Sequence, residues 1–297
     1  MKGLAPNESS SIGATVSSAH AWAVARAGRR PDAVLAAEVL LAYVMKASRE
    51  EMLAYPERRL GAWEWDRFQE MATCLEAGAP LAYLVGEREF YSLPFEVDPT
   101  VLIPRPETEM LVDVAIQEVS RGKSARAAIC DVGTGSGCIA IALKRRISSA
   151  FVTGVDISLP ALNLARRNGR RLQADVSWVR SDLLDGFQGP FDLVVANLPY
   201  IPTTAVDDLP PEIRNYEPRL ALDGGNDGLV LIDRLLRMVH GRLRNGLVCL
   251  EVGIGQADVV ARHMRDDGFH VKAIHSDFAG IPRVVVGEYG QGKSHVA

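Results

Sequence analysis

Apolar residues recur at three- and four-residue spacing from about Ser18 to Gly78, most clearly in PDAVLAAEVLLAYVMKAS and EWDRFQEMATCLEAG, with charged residues between them. Each helix then has one apolar and one solvated face, which predicts a small helical domain over residues 18–84. The polar stretch ahead of it, MKGLAPNESSSIGATVSS, predicts a flexible leader over 1–17. After Pro80 the texture changes. In REFYSLPFEVDPTVLIP, aromatic and β-branched residues alternate with polar ones, so 85–105 is expected to be a β-hairpin linking two domains.

From Pro106 onward helix and strand alternate: a helix over ETEMLVDVAIQEVS, strand AAICDV, helix CIAIALKRR, strand FVTGVD, helix PALNLARRNGRRL, then strands VSWVRSD, FDLVVAN and GLVCLEVG. Repeated strand-helix-strand units imply a mostly parallel sheet with helices on both faces, a Rossmann-like α/β domain over 106–290 with a short tail over 291–297. HVKAIHS and RVVVGEY, joined by DFAGIP, bring the sheet to seven strands and predict an antiparallel pair at its edge.

Composition narrows the function classes. A chain of 297 residues holds a large domain plus a small one, and 47% hydrophobic with 24% charged residues excludes disordered and fibrous classes. The formal net charge of -4 provides no overall cationic field for a polyanionic backbone. Local basic clusters remain at Arg26, Arg29 and Arg30 and at Arg166, Arg167, Arg170 and Arg171, where solvated helix faces are the ordinary explanation. Cys74, Cys130, Cys138 and Cys249 lack metal-ligand spacing and read as buried reduced thiols, so no metal is expected. With neither a secretory leader nor an apolar run of spanning length, the expected location is cytoplasmic.

The run Asp131-Val132-Gly133-Thr134-Gly135-Ser136-Gly137 follows an apolar strand and opens an apolar helix, a setting where glycines admit a ligand close to the backbone. A dinucleotide loop reads G-x-G-x-x-G and receives a pyrophosphate. Here the third glycine comes one residue early. Asp131 stands two residues before the first glycine, where a carboxylate repels phosphate and suits a ligand carrying an ammonium and a sulfonium. S-adenosylmethionine has both and no phosphate. Asp156 ends the next strand, placed to accept both ribose hydroxyls. Asp182 ends the one after, placed for the adenine amine. Ile157 and Leu183 follow them and sandwich the ring. One such aspartate alone ordinarily caps a loop; three at successive strand ends describe a cofactor site.

The strand FDLVVA runs into Asn197-Leu198-Pro199-Tyr200, again at a carboxyl end and so beside the cofactor site. The nitrogen of an amide or aromatic amine has a delocalised lone pair and must be held in a fixed direction before it attacks a methyl group. The Asn197 side-chain oxygen and the Leu198 carbonyl each accept one N–H, Pro199 stiffens the turn, and Tyr200 offers a flat face. Asn197 thus serves cofactor and acceptor together. Taken alone, N-x-P-Y is as readily an ordinary turn.

From about Asp32 to Gly287 the chain resembles the N5-glutamine methyltransferases that modify class-1 peptide chain release factors. The most specific segments are PLAYLVGEREFYSLPFEVDPTVLIPRPETE, DVGTGSG, EPRLALDGGNDGL and DFAGIPRVVVG. The resemblance implies a class I methyltransferase domain binding S-adenosylmethionine, preceded by a helical domain and a hairpin that recognise the substrate. It also implies a Gly-Gly-Gln loop glutamine as acceptor, held by Asn197, Leu198, Pro199 and Tyr200, with Phe90 and Arg105 bordering the pocket. The expected partner is a class-1 release factor met by a monomer, with no membrane and no nucleic acid. The family's N-P-P-Y stands here as N-L-P-Y, a form similar to that of ribosomal RNA adenine dimethyltransferases. An adenine amine of RNA or DNA, a ribosomal-protein glutamine and a small metabolite therefore stay open as acceptors. Duplex adenine would need flipping and a basic groove, against which the acidic balance and IPRPETE argue. A binding module with a dead site is disfavoured because every expected group is present.

Overall fold

Side-chain caps set three of the helix starts in the N-terminal unit of the computed structural model, which describes residues 14–28, 30–122, 126–187 and 189–289 and divides between Val85 and Gly86. Most of the leader, the tail and Arg29 lie outside the described residues. The first unit contains α1 (Val16–Arg26), α2 (Ala33–Met45), α3 (Arg49–Ala54), α4 (Ala62–Glu76) and α5 (Leu81–Val85). At α1 the Thr15 hydroxyl accepts from the Ser18 amide and the Ser18 hydroxyl accepts from the Thr15 amide; Ser48 and Glu51 repeat this reciprocal box at α3. At α4 the Glu64 carboxylate accepts the Gly61 amide. α2 is apolar almost all round, and it forms the centre of the unit, burying Ala36, Ala37, Leu40, Leu41 and Val44 against Phe68, Met71 and Leu75 of α4. Trp22 meets Trp65 edge-on at 5.4 Å.

The second unit contains β1 (Glu87–Phe90), β2 (Leu93–Glu96), α6 (Glu109–Arg121), β3 (Ala128–Val132), α7 (Cys138–Arg146), β4 (Phe151–Asp156), α8 (Leu159–Arg171), β5 (Val176–Arg180), β6 (Phe191–Ala196), α9 (Pro211–Arg214), α10 (Val230–Val239), β7 (Leu243–Glu251), α11 (Ala257–Asp266), β8 (His270–Ser276) and β9 (Pro282–Glu288). Its seven-stranded sheet has the order β5-β4-β3-β6-β7-β9-β8. β5 to β7 run parallel, and β9 lies antiparallel between β7 and the outermost β8. α10 and α11 cover one face through Leu235, Leu236, Val260 and Met264; α6 and α7 cover the other through Leu111, Val112, Ile141 and Leu143. The strand order reverses between β3 and β6, which opens a crevice at their carboxyl ends, where an open α/β sheet receives its ligand.

The β1–β2 hairpin falls in the second unit. Phe90, expected at the pocket border, is instead a core residue, 1% exposed and packed edge-on against Phe95 at 6.1 Å. Apolar burial places it there, because the inward face of so short a hairpin is its only hydrophobic anchor. The arginines of α8 secure the outer side: Arg167 donates to Glu96 at 3.0 Å and Arg171 to Glu87 at 2.8 Å. Asn168, fully buried, donates to the carbonyls of Glu96 and Ser136 and accepts from the Glu96 amide, tying hairpin to glycine loop. In the N-terminal cluster Arg26 lies over the Trp22 ring and pairs with Glu76. The basic groups are thus largely built into the fold.

Trp178 on β5 packs where three glycines leave room. A Cβ would lie 2.5 Å from its ring at Gly154, 2.8 Å at Gly137 and 3.3 Å at Gly169. Cys130, Cys138 and Cys249 are buried free thiols, whereas Cys74 is exposed, contrary to expectation, because it falls off the buried stripe of α4. Among the described residues no helix is long and apolar enough to cross a membrane.

Candidate functional site

The turn from β3 into α7 takes its shape from three left-handed glycines, Gly133, Gly135 and Gly137, with φ of 75°, 53° and 82°. Val155 at the end of β4 accepts the amides of Gly133 and Thr134, which seats the turn against the neighbouring strand. Asp131 was expected to meet a cationic ligand. It is instead fully buried and does not line the cavity described below: one carboxylate oxygen accepts the Thr134 hydroxyl at 2.6 Å and the Ala140 amide at 3.1 Å, while Oδ1 has no partner among the described residues. The strand's alternation turns its side chain beneath the loop, so it braces the glycines from within.

Burial raises the Asp131 carboxyl to about 7, against the hydrogen bonds of Thr134 and Ala140, with the Asp156 charge adding to the rise. A carboxyl raised in the fold stabilises it fully below the unfolded value of 3.8 and loses that contribution as pH climbs through 7. Asp131→Asn keeps the shape without the charge. In urea titrations of the ligand-free protein, the variant is expected to gain on the wild type by about 3 kcal/mol between pH 5 and pH 8. A difference independent of pH would refute the buried charge. Raised carboxyls not coupled to Asp131, such as Glu251, titrate in both proteins and cancel.

A cavity of about 490 Å³ opens beside this loop at the carboxyl ends of β3 to β6. Gly133, Thr134, Gly135, Ser136, Asp156, Ile157, Asp182, Leu183, Asn197, Leu198, Pro199 and Arg105 line it; Gly137 and Tyr200 do not. Asp156 is the acid best placed for a ligand. One oxygen accepts the Gly135 amide at 2.9 Å and the other the Ser158 amide at 2.8 Å, so each keeps a further acceptor site. Burial raises its carboxyl, and those amides oppose the rise. Ile157 is exposed and Leu183 buried in a left-handed turn, two apolar walls of the cavity. Asp182 is already paired, with Arg234 of α10 at 2.8 Å.

The acceptor turn follows β6. The Asn197 amide donates through Nδ2 to the Thr108 hydroxyl at 3.1 Å, and among the described residues its Oδ1 accepts no hydrogen bond. Leu198 is buried to 3%, and a Cβ on Gly133 would lie 3.0 Å from its Cδ2. The leucine that replaces the family proline thus fills space under the glycine loop and is held in place. Tyr200 is turned away from the cavity lining: a Cβ on Gly253 would meet its ring at 3.0 Å, and its carbonyl accepts from Gln256 at 2.9 Å. The DGGNDG segment wraps the turn closely, since a Cβ on Gly224 would lie 2.6 Å from the Pro199 oxygen.

Several cavity residues escaped the motif reading. Leu231 and Arg234 come from a segment without a local signature, whereas Thr108, Pro218 and Leu220 lie in segments whose signal did not single them out. Glu217, buried, clamps Arg105 at 2.5 Å and accepts the Ile103 amide at 3.3 Å. That pair joins the IPRPETE and EPRLAL segments, two stretches whose sequence signal was strong but whose contact with each other was invisible.

Comparison with known proteins agrees with this geometry. Residues 108–209 match the family described as methyltransferase small domain, and residues 18–86 the one described as PrmC N-terminal domain. A release factor glutamine methyltransferase of Koribacter versatilis is 40% identical over 86% of this chain and 91% of its own. One from Moorella thermoacetica is 41% identical over 84% of this chain and 89% of its own. Among solved structures, a methyltransferase from Pyrococcus furiosus shares the fold with a TM-score of 0.52 at 19% identity, covering 75% of this chain and 98% of that one.

Proposed function

The chain belongs to the release factor glutamine methyltransferases, and from that premise we propose that it methylates the side-chain amide nitrogen of a glutamine, in the Gly-Gly-Gln loop of a class-1 peptide chain release factor, using S-adenosylmethionine. The observation that carries this reading is the meeting of two local motifs in one cavity: the glycine loop with Asp156 on one side, and Asn197 with an unengaged Oδ1 on the other.

The residues present fit the cofactor. Asp156 keeps an acceptor site on each oxygen for a vicinal diol, Ile157 and Leu183 form apolar walls suited to a flat ring, and the Asp182–Arg234 pair borders the cavity with groups able to meet ring nitrogens. When bound, S-adenosylmethionine supplies a methyl group on a sulfonium. Asn197 Oδ1 and the Leu198 carbonyl accept the two hydrogens of the substrate amide, which fixes the direction of its nitrogen, and that nitrogen gives up one proton as the new C–N bond forms. No side-chain base is required, because the positive charge passes to the nitrogen as the bond forms, which acidifies its N–H, and the proton leaves to solvent. Positioning and exclusion of water carry the rate.

The test is direct. The protein is incubated with labelled S-adenosylmethionine and either a class-1 release factor or total RNA, and the label is located by mass spectrometry. Label on the amide of the Gly-Gly-Gln glutamine is the expected result; label on adenine, or none on the release factor, would overturn the reading.

A further inference from the structure

Behind Asn197 stands a buried acid for which the cofactor has no use. β6 and β7 pair in parallel with Ala196 opposite Leu250, so the next residues in register are Asn197 and Glu251. Glu251 is 4% exposed, and among the described residues its Oε2 has no hydrogen-bond partner. The Thr108 hydroxyl and the Asn197 amide lie against its carboxylate as hydrogen-bond donors that favour its charged form. A lone carboxylate in such a place costs stability, and an apolar residue would serve the core better.

Hydrogen-bond direction gives the acid a purpose. An asparagine amide has two nearly isosteric seatings, and a threonine hydroxyl, which both donates and accepts, tolerates either of them. An ionised carboxylate only accepts. It draws the Thr108 proton, leaves the Thr108 oxygen to accept, and so selects the seating in which Asn197 Nδ2 points inward, as observed at 3.1 Å. The side-chain oxygen is then the atom left for the substrate. Resting on the reading of Asn197 as the residue that holds the acceptor amide, we propose that Glu251 is a positioning residue that fixes, through Thr108 and through its own contact with the Asn197 amide, the orientation in which Asn197 presents its oxygen to the substrate NH2.

The arrangement is sensitive to pH. Burial drives the Glu251 carboxyl up to about 7; Thr108, Arg283 of β9 and Asn197 oppose the rise, and Glu107 adds to it. Tyr200 from the turn after β6 and Cys138 of α7 also feel its charge. Once protonated, Glu251 donates as well as accepts and no longer dictates the direction of the chain of bonds. Turnover should therefore fall on the acid side of about pH 7, and Glu251→Gln, which resembles the protonated acid, should behave like acidified wild type at every pH.

The experiment measures kcat, KM for a class-1 release factor and cofactor affinity from pH 6 to 9, for the full chain and the Glu251→Gln variant. At pH 8.5 the variant should lose roughly tenfold or more in kcat, with KM and cofactor affinity within about twofold, and its kcat should lack the fall below pH 7. An unchanged kcat, an acid limb retained in the variant, or equal losses in KM and cofactor affinity would overturn the proposal. If thermal melting shows the glutamine variant unfolded, Glu251→Met decides, since it removes the carboxylate from both Thr108 and Asn197: a selective loss in kcat supports the role and a normal kcat overturns it. Wild-type protein that transfers no methyl group to the release factor overturns the underlying reading, and the inference with it.

Discussion

Asn197→Ala is expected to lower kcat by roughly 10²–10³-fold while leaving cofactor affinity within about twofold, the pattern of losing a preorganised hydrogen bond that matters most in the transition state. The asparagine touches the glycine-loop cavity through one side chain, and its amide is held from behind by Thr108. Truncation removes the acceptor for one substrate N–H and leaves β6 and the glycine loop intact, so the damage should appear in turnover. Steady-state kinetics with a release factor, beside calorimetric titration of S-adenosylmethionine, separates the two quantities. Equal losses in both would mean that Asn197 serves the cofactor instead.

The opposite pattern is expected at Asp156. Asp156→Ala should weaken S-adenosylmethionine binding by about 10–100-fold, the scale of one or two hydrogen bonds to a charged group. The same change releases the Gly135 and Ser158 amides, so part of the loss is the loosening of the loop itself. Asp156→Asn distinguishes the contributions: its single carbonyl oxygen still accepts one amide, while its NH2 meets the other as a second donor. Calorimetry reads all three proteins. Affinity unchanged in the alanine variant would remove Asp156 from the ribose site.

What could be seen in the sequence was local. Gly133, Gly135, Asp156 and Asn197 each sit within a few residues of a strand end, and the alternation of helix and strand places those ends together, so reading the motif amounts to reading the cavity wall. Phe90 misled because an aromatic residue in a hairpin reads equally as a binding face and as an anchor; only its packing against Phe95 within the core decides. Asp131 misled for a related reason: which side of a loop a strand-end carboxylate faces depends on the parity of the strand relative to the helix that covers it. Thr108, Glu217, Arg234 and Glu251 lie far along the chain from the residues they touch, and no spacing rule reaches that distance. Two of the four α8 arginines that offered a basic surface, Arg167 and Arg171, are instead paired with the hairpin carboxylates of Glu96 and Glu87.

Trp178 carries a consequence for how this sequence can drift. Its ring occupies volume that three ordinary side chains would otherwise claim, at Gly137 in the glycine loop, Gly154 on β4 and Gly169 on α8. Gly137 and Gly154 have no room for a methyl group while the indole stays, Gly169 would need the ring to give by a few tenths of an ångström, and a smaller residue at 178 would leave a void until Gly154 or Gly169 grew. The four positions are therefore tied by volume. Permissible change runs through the tryptophan first: a lineage that keeps the ring must keep Gly154, and one that loses it can refill the space from Gly154 or Gly169, while Gly137 stays glycine for its left-handed φ.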